Sequence, residues 1–329
     1  MSRPEIQIPQ LMDRLNPPAY DGLQYSSPGK LLLTGEYAVL KGARALVVPI
    51  KLRQTLSVTE NNSGFIYWSS FYNGSAFFQT TLKVSDLSSI NLLPSSRELF
   101  IIKLLTAAQT LNPTFLTGNG YSITTVLEAN PEWGFGSSAQ LTVNIARLAN
   151  ITPWDLHKSV SKGSGADVIC SESETPILFK TDNNTYSATP IEFSPSFLND
   201  LILIYTGHKQ DSAKGVDSFL SKETINDSII SKIDALSIEA ANATEKKEFI
   251  EIMTSHERFL SDELKIPPAS QKWFKGFNGA LKSLGAWGGD YIMAVPYGDG
   301  EEALEWFRQK TDHPIFLLSE LILNNKRGE

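Results

Sequence analysis

Residues 131–142, Pro131-Glu-Trp-Gly-Phe-Gly-Ser-Ser-Ala-Gln-Leu-Thr142, hold the densest chemistry in this chain. Gly134 and Gly136 leave backbone amides open to a ligand, because no side chain screens them. Ser137, Ser138 and Ala139 follow, and Leu141, Ile145 and Leu148 then recur at helical steps. A helix starting there presents unpaired N–H groups and a partial positive charge. That suits an anion, above all a phosphate. The two serine hydroxyls can cap the helix, bind a phosphate oxygen or reach a metal ion. An ordinary Ser-capped helix after a glycine turn is the alternative this segment leaves open.

Three more segments carry candidate groups. In Ser27-Pro28-Gly29-Lys30, followed by Gly35-Glu36-Tyr37, Lys30 leaves a Pro-Gly turn at the start of an apolar run. A lysine there can send its ammonium into a cleft, towards a phosphate or a carboxylate; a surface lysine at a strand start is the plainer reading. In Lys162-Gly163-Ser164-Gly165-Ala166-Asp167, the carboxylate stands between glycines and an apolar run. That setting suits a general base, kept ionised by a nearby lysine, or a simple turn aspartate. In Lys282-Ser-Leu-Gly285-Ala286-Trp287-Gly288-Gly289-Asp290, three glycines fall within five residues. So many glycines are unfavourable unless something must approach the backbone closely. The chain has neither G-x-x-x-x-G-K-[ST] nor a G-x-G-x-x-G after a strand, so a P-loop and a dinucleotide fold are both excluded.

The elements that would position these groups read as a mixed α+β chain. Strands are expected at Leu31–Leu33, Tyr37–Leu40, Ala45–Ile50, 54–58, 65–69, Tyr121–Leu127, Ile177–Phe179, Leu201–Tyr205 and Tyr291–Val295. Helices are expected over 99–111, after Ser138, over most of 212–265, over 271–284 and over 300–309. Residues 181–199 are rich in Asn, Thr, Ser and Pro, which marks a boundary. The reading divides the chain into an irregular lead-in, 1–24, a first domain, 25–190, and a second, 191–329.

Composition narrows the partners. A net charge of −7 disfavours non-specific nucleic-acid binding, which needs a basic footprint. No stretch approaches the apolar length of a membrane span, and the N-terminus shows no continuous apolar leader. The single cysteine, Cys170, stands among apolar residues and reads as a core residue of a protein in the reducing cytoplasm.

Taken together, Pro28-Gly29-Lys30 with Gly35-Glu36, Gly134-Phe-Gly-Ser-Ser-Ala139 and Gly285-Ala-Trp-Gly-Gly289 resemble the three motifs of the GHMP kinase superfamily. The superfamily is named for galactokinase, homoserine kinase, mevalonate kinase and phosphomevalonate kinase. The resemblance spans residues 26 to about 296. Phe135 stands where the second motif usually has leucine, and Trp287 where the third usually has glycine. Tyr37, Gly288-Gly289-Asp290 and Tyr205-Thr206-Gly207 with Ser212 are closer to phosphomevalonate kinases than to mevalonate kinases. Gly165-Ala166-Asp167-Val168-Ile169 is similar to the Gly-Tyr-Asp-Ile-Ala motif of the GYDIA subgroup of Bacteroidetes, without its tyrosine.

The resemblance implies a two-domain kinase. Its N-terminal domain would be ribosomal-S5-domain-2-like and its C-terminal domain ferredoxin-like. ATP phosphates would rest on Gly134, Gly136, Ser137, Ser138 and Ala139, and Mg²⁺ would be held by Ser138 or Ser137. Asp167 and Lys30 would be catalytic. Gly285, Ala286, Gly288, Gly289, Lys282 and Ser212 would meet the acceptor. That acceptor would be phosphomevalonate, or alternatively mevalonate or another small molecule; a non-catalytic ATP-binding homologue is the rival of another class. If the acceptor carries a phosphate, Lys209, Lys214 or Lys282 would bind it. Mevalonate kinases place a metal-binding glutamate about eleven residues before the aspartate; Leu156 stands there, so either Asp155 substitutes or serine, phosphates and water hold the metal alone. A homodimer is left open.

Overall fold

The computed structural model describes residues 22–87, 96–182, 185–208, 212–221, 227–285 and 290–323. The expected lead-in falls almost wholly outside them. The first layer is a seven-stranded sheet in the order β4-β3-β5-β2-β6-β7, with β1 paired to β2. These strands are β1 (Leu23–Leu32), β2 (Ala45–Glu60), β3 (Phe65–Tyr72), β4 (Ser75–Lys83), β5 (Tyr121–Leu127), β6 (Ile177–Asp182) and β7 (Thr185–Pro190). The two runs read as separate strands at 45–50 and 54–58 are one strand of 16 residues. Its first part pairs with β6 and its last part with β5, while β1 runs along it. Strand β5 alternates buried and half-buried residues, as a strand with one face on a core should.

Four helices belong to this layer: α1 (Ser96–Leu111), α2 (Ser137–Leu148), α3 (Pro153–Val160) and α4 (Ala166–Ser173). Leu104, Leu105, Leu141, Ile145 and Leu156 from α1 to α3 bury against Leu56, Ile66, Trp68 and Ile123 of the sheet. Cys170 on α4 is buried with Val47, Ile177 and Phe179, as its apolar neighbours in sequence imply.

After β7 the chain enters a second sheet of β8 (Ile202–Tyr205), β9 (Gly279–Leu284), β10 (Tyr291–Pro296) and β11 (Ile315–Leu317). Its order, β11-β8-β10-β9 with every pair antiparallel, is the ferredoxin-like arrangement. Helices α5 (Ser212–Leu220), α6 (Asp227–Asn242) and α7 (Lys246–Leu264) lie between β8 and β9, and α8 (Gly300–Arg308) precedes β11. One apolar cluster runs through both layers. It joins Leu31, Val48 and Ile50 to Leu203, Met293, Phe249 and Met253.

Two sequence expectations are corrected. Residues 271–284 do not form one helix. A four-residue helix, Ala269–Lys272, is broken by left-handed Phe274 and Gly276, and strand β9 follows. Phe274 and Phe277 mimic a helical stripe because both pack on Phe307. Strand β9 is buried on both faces, so its short apolar run has no alternation to betray it. The run 37–40 is also not a strand. Left-handed Tyr37 opens a 3-10 turn, Ala38–Lys41.

Candidate active site

The glycine loop of the second motif is built to stay open. Trp133 and Phe135 are buried and pin the loop from below. The Phe135 ring stacks on Tyr291 of β10 at 4.8 Å and meets Phe316 of β11 edge-on. Phenylalanine in place of leucine thus ties this loop to the second sheet. Gly134 and Gly136 are left-handed, with φ of 72° and 85°. Gly136 is the N-cap of α2, and no side chain caps that helix. This removes the Ser-capped alternative and leaves the first amides of α2 for another acceptor. Ser138 is exposed on the cleft wall and Ser137 is half-buried beside it. Gln140 fixes the helix to β1 and β2 by donating to the carbonyls of Ser27 and Leu52 at 3.1 and 3.2 Å.

Strand β1 delivers the lysine. Its register with β2 shifts between Pro28 and Gly29, where Lys51 and Leu52 of β2 are passed over just before Lys30. The Lys30 N–H donates to the Phe135 carbonyl at 3.0 Å, and a Cβ on Gly29 would stand 2.7 Å from that same oxygen. The Lys30 side chain then passes over Gly136, where an added Cβ would lie 2.9 Å from Cε. Its Nζ ends 2.9 Å from Asp167 Oδ2, with Lys30 nearly buried and the Asp167 side chain 42% exposed. Residues 137 apart in sequence therefore form one ion pair on the cleft.

Asp167 is placed by a turn and a helix start. It is the second residue of α4, after left-handed Gly165. A Cβ on Gly165 would press into the Trp154 ring at 2.6 Å, so only glycine lets the turn lie flat on α3. His157 donates from Nε2 to the Gly163 carbonyl at 3.0 Å and holds the turn from the cleft side. Burial pushes the pKa of His157 down, which keeps it a neutral donor. Leu156, at the point where a metal-binding glutamate was sought, is fully buried in the core. Asp155 corrects the substitute reading: it is exposed and bonded to the helix cap Thr152. Among the described residues no cluster of three His, Cys, Asp or Glu could hold a metal.

The third motif closes on the second. Gly285 and Asp290 are both left-handed and flank residues 286–289. An added Cβ at Gly134 or at Gly285 would approach the Asp290 carboxyl group to 3.1 and 3.3 Å respectively. Ala286, Gly288, Gly289 and Lys209 lie outside the described residues. Ser212 and Lys214 belong to the backbone of α5. Lys282 corrects two expectations: it sits in strand β9, is fully buried, and its ammonium is held by Glu36 rather than facing an acceptor phosphate.

These parts line one cleft of about 620 Å³. Ser138, Ala139 and Thr142 of α2, with Leu99, Phe100 and Lys103 of α1, line part of it. Lys30, Asp167, the turn 161–165, Glu36, Tyr37, Val216, Asp217 and Gly285 are among the residues that line the other walls. The sequence reading missed the Tyr37 contact with α5. Tyr37 stacks on Phe219 at 5.5 Å, and a Cβ on Gly215 would overlap its hydroxyl. A glycine inside a helix was the available signal. Lys162 pairs with Asp217 at the mouth, both well exposed.

No protein-family model matches the sequence, and no curated protein matches it by sequence. Solved structures do match. Mevalonate kinase of Methanococcus jannaschii shares 21% identity over 91% of this chain and 98% of its own, with a TM-score of 0.65. Phosphomevalonate kinase of Streptococcus pneumoniae, solved with phosphomevalonate and AMPPNP, shares 18% over 90% and 98%, with a TM-score of 0.66. Galactokinase of Lactococcus lactis, solved with galactose, shares 14% over 94% and 96%, with a TM-score of 0.61. The chain has the α+β fold common to these GHMP kinases. No described helix is long and apolar enough to cross a membrane.

Proposed function

We propose that this protein is an ATP-dependent small-molecule kinase that transfers the γ-phosphoryl group of ATP to an oxygen of its acceptor, with phosphomevalonate as the preferred acceptor. The observation that carries the reading is the Lys30–Asp167 pair, 2.9 Å apart, on the same cleft as the side-chain-free N-terminus of α2. A cleft of about 620 Å³ falls in the range of small-molecule sites. The α2 amides and the glycine loop receive the nucleotide phosphates. Asp167 orients the attacking oxygen of the acceptor, and takes its proton where that oxygen belongs to a hydroxyl, while Lys30 stabilises charge on the oxygens of the transferring group. Most of the rate gain is positioning and electrostatics, as in phosphoryl transfer generally. The donor set suits Mg²⁺, which takes few protein ligands beside phosphate oxygens and water: Ser138 is exposed on the cleft and Ser137 adjoins it. When bound, that ion neutralises phosphate charge.

Phosphomevalonate is preferred on the spellings at Tyr37 and Asp290. Lys162, beside the Asp167 turn, is the cleft cation that suits its phosphate. One observation favours mevalonate as the second reading. Two of the three lysines on the cleft, Lys30 and Lys162, are each matched by a carboxylate, Asp167 and Asp217, which suits an acceptor with less negative charge. The close Lys30–Asp167 geometry argues against a homologue without turnover. Incubation with Mg·ATP and each acceptor, with product masses recorded, tests the reading. Phosphorylated phosphomevalonate is expected. Phosphorylation of mevalonate alone selects the second reading, and no phosphorylated product with any small acceptor overturns both.

A further inference from the structure

Three lysines line the cleft among the described residues: Lys30, Lys103 and Lys162. Asp167 matches the first and Asp217 the last. Lys103, in the middle of α1, pairs with no carboxylate among the described residues. Its place on the helix sets it apart from an ordinary solvated lysine. The residues one turn away, Leu99, Phe100, Thr106 and Ala107, carry no charge, so α1 offers it no helical ion pair. Glu98 is the one acid in α1. It lies about 140° round the helix from Lys103, and the Thr80 hydroxyl donates to it.

Packing places Lys103 beside α2. Leu104, Leu105 and Ala108 of α1 share a core with Leu141 and Ile145 of α2. Leu99 and Phe100 stand half-buried on the cleft with Ser138, Ala139 and Thr142. The apolar stem of a lysine can lie along such a wall while its ammonium stays in the cleft. The Thr142 hydroxyl donates to the Ser138 carbonyl at 2.9 Å and fixes the first turn of α2. Other positive charge is scarce on this wall. Lys30 is shared with Asp167. Leu156 is buried where a metal-binding carboxylate was sought, and Asp155 belongs to the Thr152 cap. A metal ion held by Ser138 and Ser137 has neutral protein ligands there and depends on the phosphates to complete its shell.

We propose that Lys103 is a phosphate-binding residue of this chain: its ammonium anchors the triphosphate of the nucleotide beside the first turn of α2, and it does so with or without a metal ion. The inference rests on the kinase reading and extends it to a residue outside the three glycine motifs. A triphosphate carries more negative charge than Lys30, already shared with Asp167, can meet. Lys103 adds a point charge with three donors that can follow the phosphate oxygens. The acceptor is the less suitable partner. Lys162 stands at the turn that carries Asp167, whereas Lys103 stands with Ser138 and Thr142 on the helical wall.

The test is binding by calorimetry to the wild type, Lys103→Met and Lys103→Arg, in excess EDTA and again with Mg²⁺. ATP is titrated directly, and inorganic tripolyphosphate is measured by its displacement of ATP. Lys103 is exposed and methionine is as good a helix former, so the variant keeps its fold. Lys103→Met is expected to weaken both ligands about tenfold in EDTA, the low end for a hydrogen bond to a charged group because the site is exposed. The loss is smaller with Mg²⁺ and shrinks as salt is raised. Lys103→Arg keeps most of the affinity. In steady-state kinetics Lys103→Met raises the KM for ATP and leaves the acceptor KM within about twofold. Wild-type affinity for ATP in Lys103→Met overturns the inference and leaves the kinase reading standing. So does a loss confined to Mg²⁺, a loss for ATP but not for tripolyphosphate, or a rise in the acceptor KM alone. A wild type that binds neither ATP nor tripolyphosphate overturns the kinase reading and the inference with it.

Discussion

Gly136→Ala isolates how the second motif governs the first. Gly136 has a φ of 85° and an added Cβ would lie 2.9 Å from Lys30 Cε and 3.1 Å from its Cγ. The left-handed backbone alone is unfavourable for alanine by about 1–2 kcal/mol. The clash falls on the stem of the buried Lys30, so that side chain must move to relieve it. Lys30 is therefore expected to swing away and give up its 2.9 Å contact with Asp167. A lost charge-stabilising group in a preorganised site typically lowers kcat by about 10²–10³. The variant should thus lose at least about 1–2 kcal/mol in denaturant unfolding and about two to three orders of magnitude in turnover. Calorimetry should find nucleotide affinity within a few-fold of wild type, since the α2 amides are untouched. A folded Gly136→Ala protein with wild-type kcat would refute the reasoning, because Lys30 would then not need this path to Asp167.

Two other substitutions separate the halves of the cleft. Ser138→Ala should leave the unliganded protein as stable as wild type, within about 0.5 kcal/mol as for exposed positions. It should weaken Mg·ATP binding about tenfold, since a hydrogen bond to a charged group is lost; an unchanged dissociation constant by calorimetry removes Ser138 from the nucleotide site. Gly215→Ala gains helix propensity worth about 1 kcal/mol, but its methyl group would overlap the Tyr37 hydroxyl and shift that ring from Phe219. Acceptor KM should rise several-fold with the KM for ATP unchanged, and equal rises in both would place Tyr37 elsewhere in the mechanism.

Much of this site was legible in the sequence. Lys30, Asp167 and Ser138 stand out beside glycines in the sequence, and all three line one cleft. Strand β5 and helix α1 declared themselves by clear periodicity. What stayed hidden had physical causes. Lys282 lies in a run, Gly-Ala-Leu-Lys-Ser-Leu, whose strand is buried on both faces, so nothing in its pattern tells strand from helix or a buried lysine from an exposed one. Its partner Glu36 stands 246 residues away, and pairings of that span leave no local mark. Asp155 was chosen for its charge near an expected carboxylate. Its actual role, beside the cap Thr152, is one that aspartate also fills at the start of any helix. Gly215 was a readable anomaly, a glycine within a helix, but only the fold shows that Tyr37 fills the space it leaves.

The central claim is that Asp167, held by Lys30, serves phosphoryl transfer from ATP. Its most direct measurement is the single-turnover rate of γ-³²P transfer to phosphomevalonate, and in parallel to mevalonate, by the wild type and by Asp167→Asn. The account predicts transfer to one of these acceptors by the wild type. It predicts a rate lower by about 10²–10⁴ in the variant, the usual worth of a general base, with ATP affinity held within a few-fold. An Asp167→Asn protein that transfers the label at the wild-type rate would contradict it.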